Sequence, residues 1–219
     1  MFKFRHFSIQ QDLCAMKVGT DGVLLGAWAN GGDVILDVGT GTGLIALMMA
    51  QRFPKSQLTA LDIDEGAVKQ ALQNVINAGC QQRVAVLQEQ VQQHQGLYDS
   101  VVSNPPYFVD SLKAPNAQRN MARHVDTLPY AELMQAAWRL LKSDGELSLV
   151  VPFDYRKRME DEATFVGFSP SRVCAVKTVE DKPARRFLLA FRKHPCPVER
   201  KEMTIGDDCY RQLTKDFYL

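Results

Sequence analysis

The stretch Val34 to Leu47, VILDVGTGTGLIAL, limits what this chain can fold into more than any other. Val34, Ile35, Leu36 and Val38 form a short apolar run rich in β-branched residues, as in a strand buried on both faces of a parallel sheet. Gly39, Gly41 and Gly43 follow at alternate positions, and Leu44, Ile45, Leu47 and Met48 then recur with helical spacing. Strand, glycine turn and helix make the first half of a βαβ unit. Lacking Cβ, glycines let the backbone bend sharply and let a ligand lie against it. The start of the following helix then aims free N–H groups at that ligand.

Two nucleotide-phosphate versions of this turn fit poorly. A dinucleotide fingerprint, G-x-G-x-x-G, needs its third glycine where Leu44 stands, and a P-loop needs a Gly-Lys-Ser/Thr that the turn lacks. The pattern present is D-x-G-x-G-x-G, with Asp37 at the strand end. It resembles motif I of the class I S-adenosylmethionine-dependent methyltransferases. The resemblance implies S-adenosyl-L-methionine as cofactor, with Asp37, Gly39, Thr40, Gly41 and Gly43 at its site.

The rest of the chain supplies the elements such a fold needs. Leu58 to Leu61 reads as a second strand ending at Asp62, an acid placed to accept hydrogen bonds from ribose hydroxyls; it lies 25 positions beyond Asp37. Asp64 or Glu65 opens a helix closed by Gly79. Val84 to Leu87 is a third strand, with Glu89 and Gln90 just after it, where a cofactor adenine would lie. Tyr98 to Ser103 is a fourth strand. A helix from about Pro129 to Leu141, a turn at Ser143 to Gly145, a strand over Glu146 to Val151 and a helix from about Asp154 to Phe165 follow. Arg172 to Val179 and Arg186 to Phe191 are two last strands around a Lys182-Pro183 turn. Alternation of this kind specifies an α/β fold, a Rossmann-like seven-stranded mostly parallel sheet with helices on both faces, and the last pair adds a C-terminal antiparallel hairpin. At 219 residues, one domain is expected. Residues 1–32 form an N-terminal extension packing on the core, 33–194 the main domain, and 195–219 a tail of the same domain. Within the extension, Phe2, Phe4 and Phe7 alternate partly like a strand. Gly19 and Gly22 flank a turn from which Asp21 would cap a helix through Leu24, Leu25 and Trp28.

The second informative stretch is Asn104-Pro105-Pro106-Tyr107, directly after the fourth strand. Two prolines end a central strand because they lack backbone donors. They fix a polar side chain and an aromatic at the carboxyl edge of the sheet, where ligands bind. The Asn104 side-chain carbonyl and the Pro105 backbone carbonyl are two acceptors able to hold both hydrogens of a substrate –NH₂. Held so, the nitrogen lone pair turns toward a methyl donor, and Tyr107 offers a face for a flat ring or amide. In-line transfer from a sulfonium then needs positioning rather than a metal or an evident general base.

With motif I, NPPY resembles the amino-methyltransferases of adenine in DNA or RNA and of glutamine side chains. DNA enzymes carry an inserted recognition domain, for which no stretch is left here. Release-factor glutamine methyltransferases carry a helical domain ahead of motif I, for which the 36 residues before Asp37 are short. Glutamine methylation stays as the alternative, beside a non-catalytic cofactor-binding scaffold. The opening FSIQQDLCAMKVGTDGVLLGAW, DVGTGTGLIAL, SNPPYF, RNMARH and the final DFYL together resemble the tRNA1(Val) adenine-N6-methyltransferase family over nearly the whole chain. That likeness implies methylation of the N6 amine of an adenine in tRNA, position 37 beside the anticodon. It implies Asn104, Pro105, Pro106 and Tyr107 as catalytic residues and Asp62 at the ribose. Lys17 and Thr20, with Asp21, either cover the cofactor or form a packing turn. Either Gln90 or Glu89 contacts the cofactor adenine. Phe108, Arg123, His124, Arg185 and Arg186 are the candidate substrate contacts; Arg123 and His124 read equally as a surface ion pair.

Composition bounds these readings. The net charge of +1 does not announce a nucleic-acid binder, but Glu180 to Lys201 holds seven Lys/Arg against three acids, and Met1 to Thr20 three against one. Such local basic segments are candidate grips on a tRNA backbone. Five scattered cysteines without C-x-x-C, and four histidines without ligand spacing, argue against a disulfide framework or a metal site and suggest a reducing cytoplasm. No apolar run approaches the ~20 residues of a membrane span, and the start carries no apolar secretory segment. No obligate protein partner is evident.

Overall fold

Val34–Val38 forms the strand its β-branched run predicts and lies deep inside an eight-stranded sheet. The computed structural model describes residues 1–14, 16–106 and 128–218. In chain order the elements are β1 (Phe2–Lys3), β2 (Ser8–Ile9), α1 (Thr20–Trp28), β3 (Val34–Val38), α2 (Leu44–Arg52), β4 (Gln57–Asp62), α3 (Glu65–Asn77), β5 (Val84–Gln88) and β6 (Tyr98–Ser103). Beyond the proline turn come α4 (Tyr130–Leu140), β7 (Leu141–Pro152), α5 (Phe153–Val166), β8 (Ser169–Lys177), β9 (Arg186–Arg192), β10 (Glu199–Thr204) and α6 (Asp208–Thr214). The strand order is β10-β8-β9-β7-β6-β3-β4-β5. β5, β4, β3, β6 and β7 run parallel, and β9 lies antiparallel between β7 and β8. This is the expected mostly parallel sheet with its closing antiparallel hairpin. One strand is added: β10 pairs parallel with β8, in the segment read from the sequence as a tail. In its sequence ERKEMT the first four residues are exposed and only Met203 reaches the core, so it carries no apolar run to mark it.

Each face of the sheet buries its own core, because successive strand residues point to opposite sides. Ile35, Leu58, Val102 and Val150 pack under α1, α2 and α3. Leu36, Leu61, Val101 and Leu149 pack under α4 and α5. The N-terminal segment joins the first core through Phe4, Phe7 and Ile9. It is also tied by amides: Asn74 donates to the Gln10 carbonyl and accepts from the Gln10 N–H, both at 2.8 Å, and Gln70 accepts from Leu13 N at 3.0 Å.

Local readings changed in two places. Asp64 caps α3 as expected, accepting from Ala67 N at 2.7 Å, but α1 starts one residue before Asp21 with Gly19 at its N-cap. Asp21 instead pairs with Arg186 across the fold at 2.7 Å. The turn at Ser143 to Gly145 is absorbed into β7 as a bulge, Tyr98 facing Leu141 while Ser100 faces Glu146. Between β5 and β6 the chain makes turns, and Arg139 on α4 donates to the carbonyls of Val91, Gln92 and His94.

Candidate active site

β3, β4, β5 and β6 run parallel and end at one edge of the sheet, and the loops leaving those ends supply most of the site. The glycine turn after β3 holds Gly39, Gly41 and Gly43 at φ of 70°, 55° and 79°, a region that L side chains rarely adopt. Three hydrogen bonds fasten it to β4: Gly39 N and Thr40 N donate to Leu61 O at 2.9 Å, and Gly41 N donates to Asp62 Oδ2 at 2.8 Å. A Cβ on Gly39 or Gly41 would meet only open space, so these two face a cradle. Gly43 is different: a Cβ there would lie 3.3 Å from Ala71, so it serves close packing of the turn on α3.

Asp37 sits beneath this turn, 1% exposed. Its Oδ2 accepts from the Thr40 hydroxyl at 2.6 Å and from Ala46 N at 3.1 Å, locking strand, turn and helix together. Its Oδ1 is buried with no hydrogen-bond partner among the described residues. Burial pushes its pKa up to about 7, against the lowering effect of the Thr40 and Ala46 bonds.

Two cavities meet across Gly39, Gly41, Met16 and Asn104. The larger, about 750 Å³, runs past Asp62, Gln90, Pro105 and Pro106 to the start of α4. The smaller, about 270 Å³, lies between Thr40, Lys17, Thr20 and Arg186. Asp62, Asp64, Glu65, Glu89 and Glu132 line the larger one, and no described Lys or Arg does. Glu89 is fixed there, its Oε2 2.8 Å from His94 Nδ1, while Gln90 is exposed. The Asn104-Pro105-Pro106 turn stands at the junction. The Ser103 hydroxyl donates to Val38 O at 2.8 Å, and the Tyr130 hydroxyl donates to Pro106 O at 3.4 Å. These bonds tie the turn to the ends of β3 and α4.

Several expected site residues take up other positions. Asp37 and Gly43 line neither cavity and act by holding the turn. The Lys17 ammonium donates to the carbonyls of Gln11 and Cys14, at 2.5 and 3.0 Å, although its stem borders the smaller cavity. Arg185 is exposed on the rim. Tyr107, Phe108, Arg123 and His124 lie outside the described residues. The basic run from 180 to 201 is not one patch. β9 carries Arg186 at the site edge and Arg192 to the opposite edge, where it meets the buried Glu146 at 3.3 Å. Lys193 beside it donates to Leu141 O at 2.5 Å. Of the run, Arg186 alone lines a cavity; Lys182 and Arg185 are exposed and line neither. The sequence reading missed Cys14, Met16 and Glu132, which border the larger cavity. Cys14 is pushed up to about 11 by burial and then by Asp62 and Asp64, so its thiol stays protonated. Only Glu132, in the first turn after Pro129, left a sequence signal.

The arrangement suits S-adenosyl-L-methionine. The two cradle glycines admit close approach, Asp62 keeps lone pairs beyond those used by Gly41 N and Asp64 N, and an acid-lined cleft favours a cation. Residues 19–166 match the methyltransferase small domain family model. The chain is 43% identical over 231 residues to a tRNA1(Val) (adenine(37)-N6)-methyltransferase from Parabacteroides distasonis, covering 100% of this chain and 97% of that protein. It is 40% identical over 232 residues, with the same coverages, to one of the same description from Trichodesmium erythraeum. Among solved structures it is similar to a predicted O-methyltransferase from Agrobacterium tumefaciens, with TM-score 0.69, 17% identity, and 90% and 96% of the two chains covered. It is also similar to a TehB-like SAM-dependent methyltransferase from Corynebacterium glutamicum, with TM-score 0.54, 18% identity, and 80% and 89% covered.

Proposed function

The chain belongs to the methyltransferase small domain family, among the tRNA1(Val) (adenine(37)-N6)-methyltransferases, and we propose that it methylates the N6 amine of adenine 37 in that tRNA, using S-adenosyl-L-methionine. The observation that carries this reading is the Asn104-Pro105-Pro106 turn at the junction of the two cavities, directly against the glycine cradle. A target amine held there lies beside whatever occupies the cradle. No described helix is long and apolar enough to cross a membrane.

Bound in the cleft, S-adenosyl-L-methionine supplies an electrophilic methyl carbon on a positively charged sulfur. Gly39 and Gly41 let it approach the backbone, and Asp62 accepts hydrogen bonds from ribose hydroxyls. The five carboxylates of the larger cavity favour the cation and disfavour a polyanion, so the cofactor half of the mouth repels RNA backbone. Asn104 Oδ1 and the Pro105 carbonyl take the two amine hydrogens of the adenine and turn its nitrogen lone pair toward the cleft. Both prolines hold these acceptors still, so most of the rate comes from orientation. The extra proton on the methylated nitrogen leaves to water after transfer, and no side chain need act as base. The target base must leave its stack to reach Asn104, which the unpaired anticodon loop allows at small cost.

The test is methyl transfer from labelled S-adenosyl-L-methionine to unmodified tRNA, a release-factor protein and duplex DNA side by side, followed by nucleoside analysis. N6-methyladenosine in tRNA1(Val) is expected. Label on the protein alone would replace this reading with glutamine methylation, and label on none of the three with a scaffold role.

A further inference from the structure

The half of the mouth away from the acidic cleft carries an aromatic side chain that packing does not explain. Phe153 opens α5 at the carboxyl end of β7, the strand beside β6, and is 57% exposed. Phe153 lies beside Arg185, whose neighbour Arg186 lines the smaller cavity together with Asn104. Its backbone is fixed: Phe153 N donates to Arg185 O at 3.0 Å. One side of the ring rests on Phe187, centroids 6.2 Å apart, and Arg156 covers the far ring at 4.2 Å. The residues flanking it carry both signs: Asp154 follows it, and Glu180 and Asp181 precede Lys182 and Arg185. Lys182 and Arg185 make no ion pair among the described residues. Arg158 lies 5.5 Å over the ring of Tyr130, whose hydroxyl holds Pro106 O. Phe153 is therefore an exposed aromatic face on a fixed backbone, at the same edge of the sheet as the catalytic turn and beside the cation Arg185.

Resting on the tRNA reading above, we infer that this rim is the contact surface for the unpaired anticodon loop. Phe153 stacks on a base next to the extruded adenine, and Arg185 and Lys182 engage the phosphates on either side. The chemistry matches on both counts. Unpaired bases stack on exposed aromatic rings, and paired ones cannot. Polyanions are steered away from the five carboxylates of the larger cavity, and Lys182 and Arg185 lie outside that cleft. The same helix supplies a control. Phe165 is 85% exposed at its other end, about 18 Å along the axis, and faces no part of the site.

Steady-state methylation of tRNA1(Val) transcripts tests this with Phe153→Ala, Phe153→Leu, Phe153→Tyr, Phe165→Ala and Arg185→Gln. Phe153→Ala and Phe153→Leu should raise KM for tRNA roughly tenfold. Their kcat and their affinity for S-adenosylhomocysteine should stay as in the parent, and Phe153→Tyr should behave as the parent. Arg185→Gln should raise KM and lower the slope of its salt dependence by about one. Phe165→Ala should change nothing. An unaltered KM in Phe153→Ala, a Leu variant as good as Tyr, or an equal loss in Phe165→Ala would each overturn the stacking surface. A parent enzyme that methylates no tRNA would instead overturn the substrate reading itself.

Discussion

Asp37→Asn offers a pH-resolved test of how the glycine turn is held. The carboxyl is buried, and its pKa is pushed up to about 7 from an ordinary 3.8. In the unfolded chain the group ionises near the ordinary value, so between those two pH values the folded protein keeps a proton that the unfolded chain has lost. A raised carboxyl pKa means stability that is fully present below about pH 4 and is lost as pH rises through about 7. The full difference, about three pH units, is about 4 kcal/mol. From pH 5.5 to pH 7.5 the loss is about 2 kcal/mol, or roughly 4–8 °C in Tm for a domain of this size. Asparagine keeps an oxygen for Thr40 and Ala46 N and does not titrate. In thermal scans of both proteins without cofactor, the Tm of Asp37→Asn should therefore gain on the parent by that amount between pH 5.5 and pH 7.5, then run parallel above it. Curves parallel over the whole range would refute the account, because they would mean that Asp37 is already ionised in the fold.

Asn104→Ala should abolish methyl transfer while leaving S-adenosylhomocysteine binding, read by calorimetry, nearly intact; loss of both would make Asn104 a structural residue. Asp62→Ala removes the acceptor of Gly41 N and Asp64 N as well as the ribose contact, and should weaken S-adenosylhomocysteine at least tenfold at about 1.5–3 kcal/mol per bond to a charged group; unchanged affinity would take Asp62 out of the site. Glu146→Ala leaves Arg172 and Arg192, now 2.6 and 3.3 Å from its carboxylate, without their counter-charge. It should cost about 3 kcal/mol in urea unfolding, the lower end for a broken buried pair because Arg192 is partly exposed. An unshifted midpoint would show the cluster to be energetically idle.

Where the sequence carried local physics, it was readable. β3 and the glycine turn announce themselves because a buried parallel strand must be apolar and a tight turn at positive φ needs glycine. Asn104-Pro105-Pro106 is equally visible, since prolines cannot continue a central strand. Asp62 follows from its place at the end of β4, and Asp64 from its capping position three residues before Ala67. β10 was not legible, because an edge strand rich in charge has no hydrophobic pattern. Asp21 looked like a helix cap, and nothing near it in sequence foretells Arg186, 165 positions away.

What the sequence determined alone is the succession of core strands and helices from β3 to β9, the cradle and the acceptor turn, since each arises from interactions within a few residues. What only the tertiary structure decided is which charges share a place. The antiparallel course of β9 sends Arg186 to the edge that carries the cavities and Arg192 to the opposite one, so one basic run divides between a cavity wall and an ion cluster around the buried Glu146. Five carboxylates scattered from Asp62 to Glu132 gather around one cleft, and Lys17 and Arg186 line the cavity on the other side of Asn104. Electrostatic potential depends on distance through space, and the sequence records distance only along the chain.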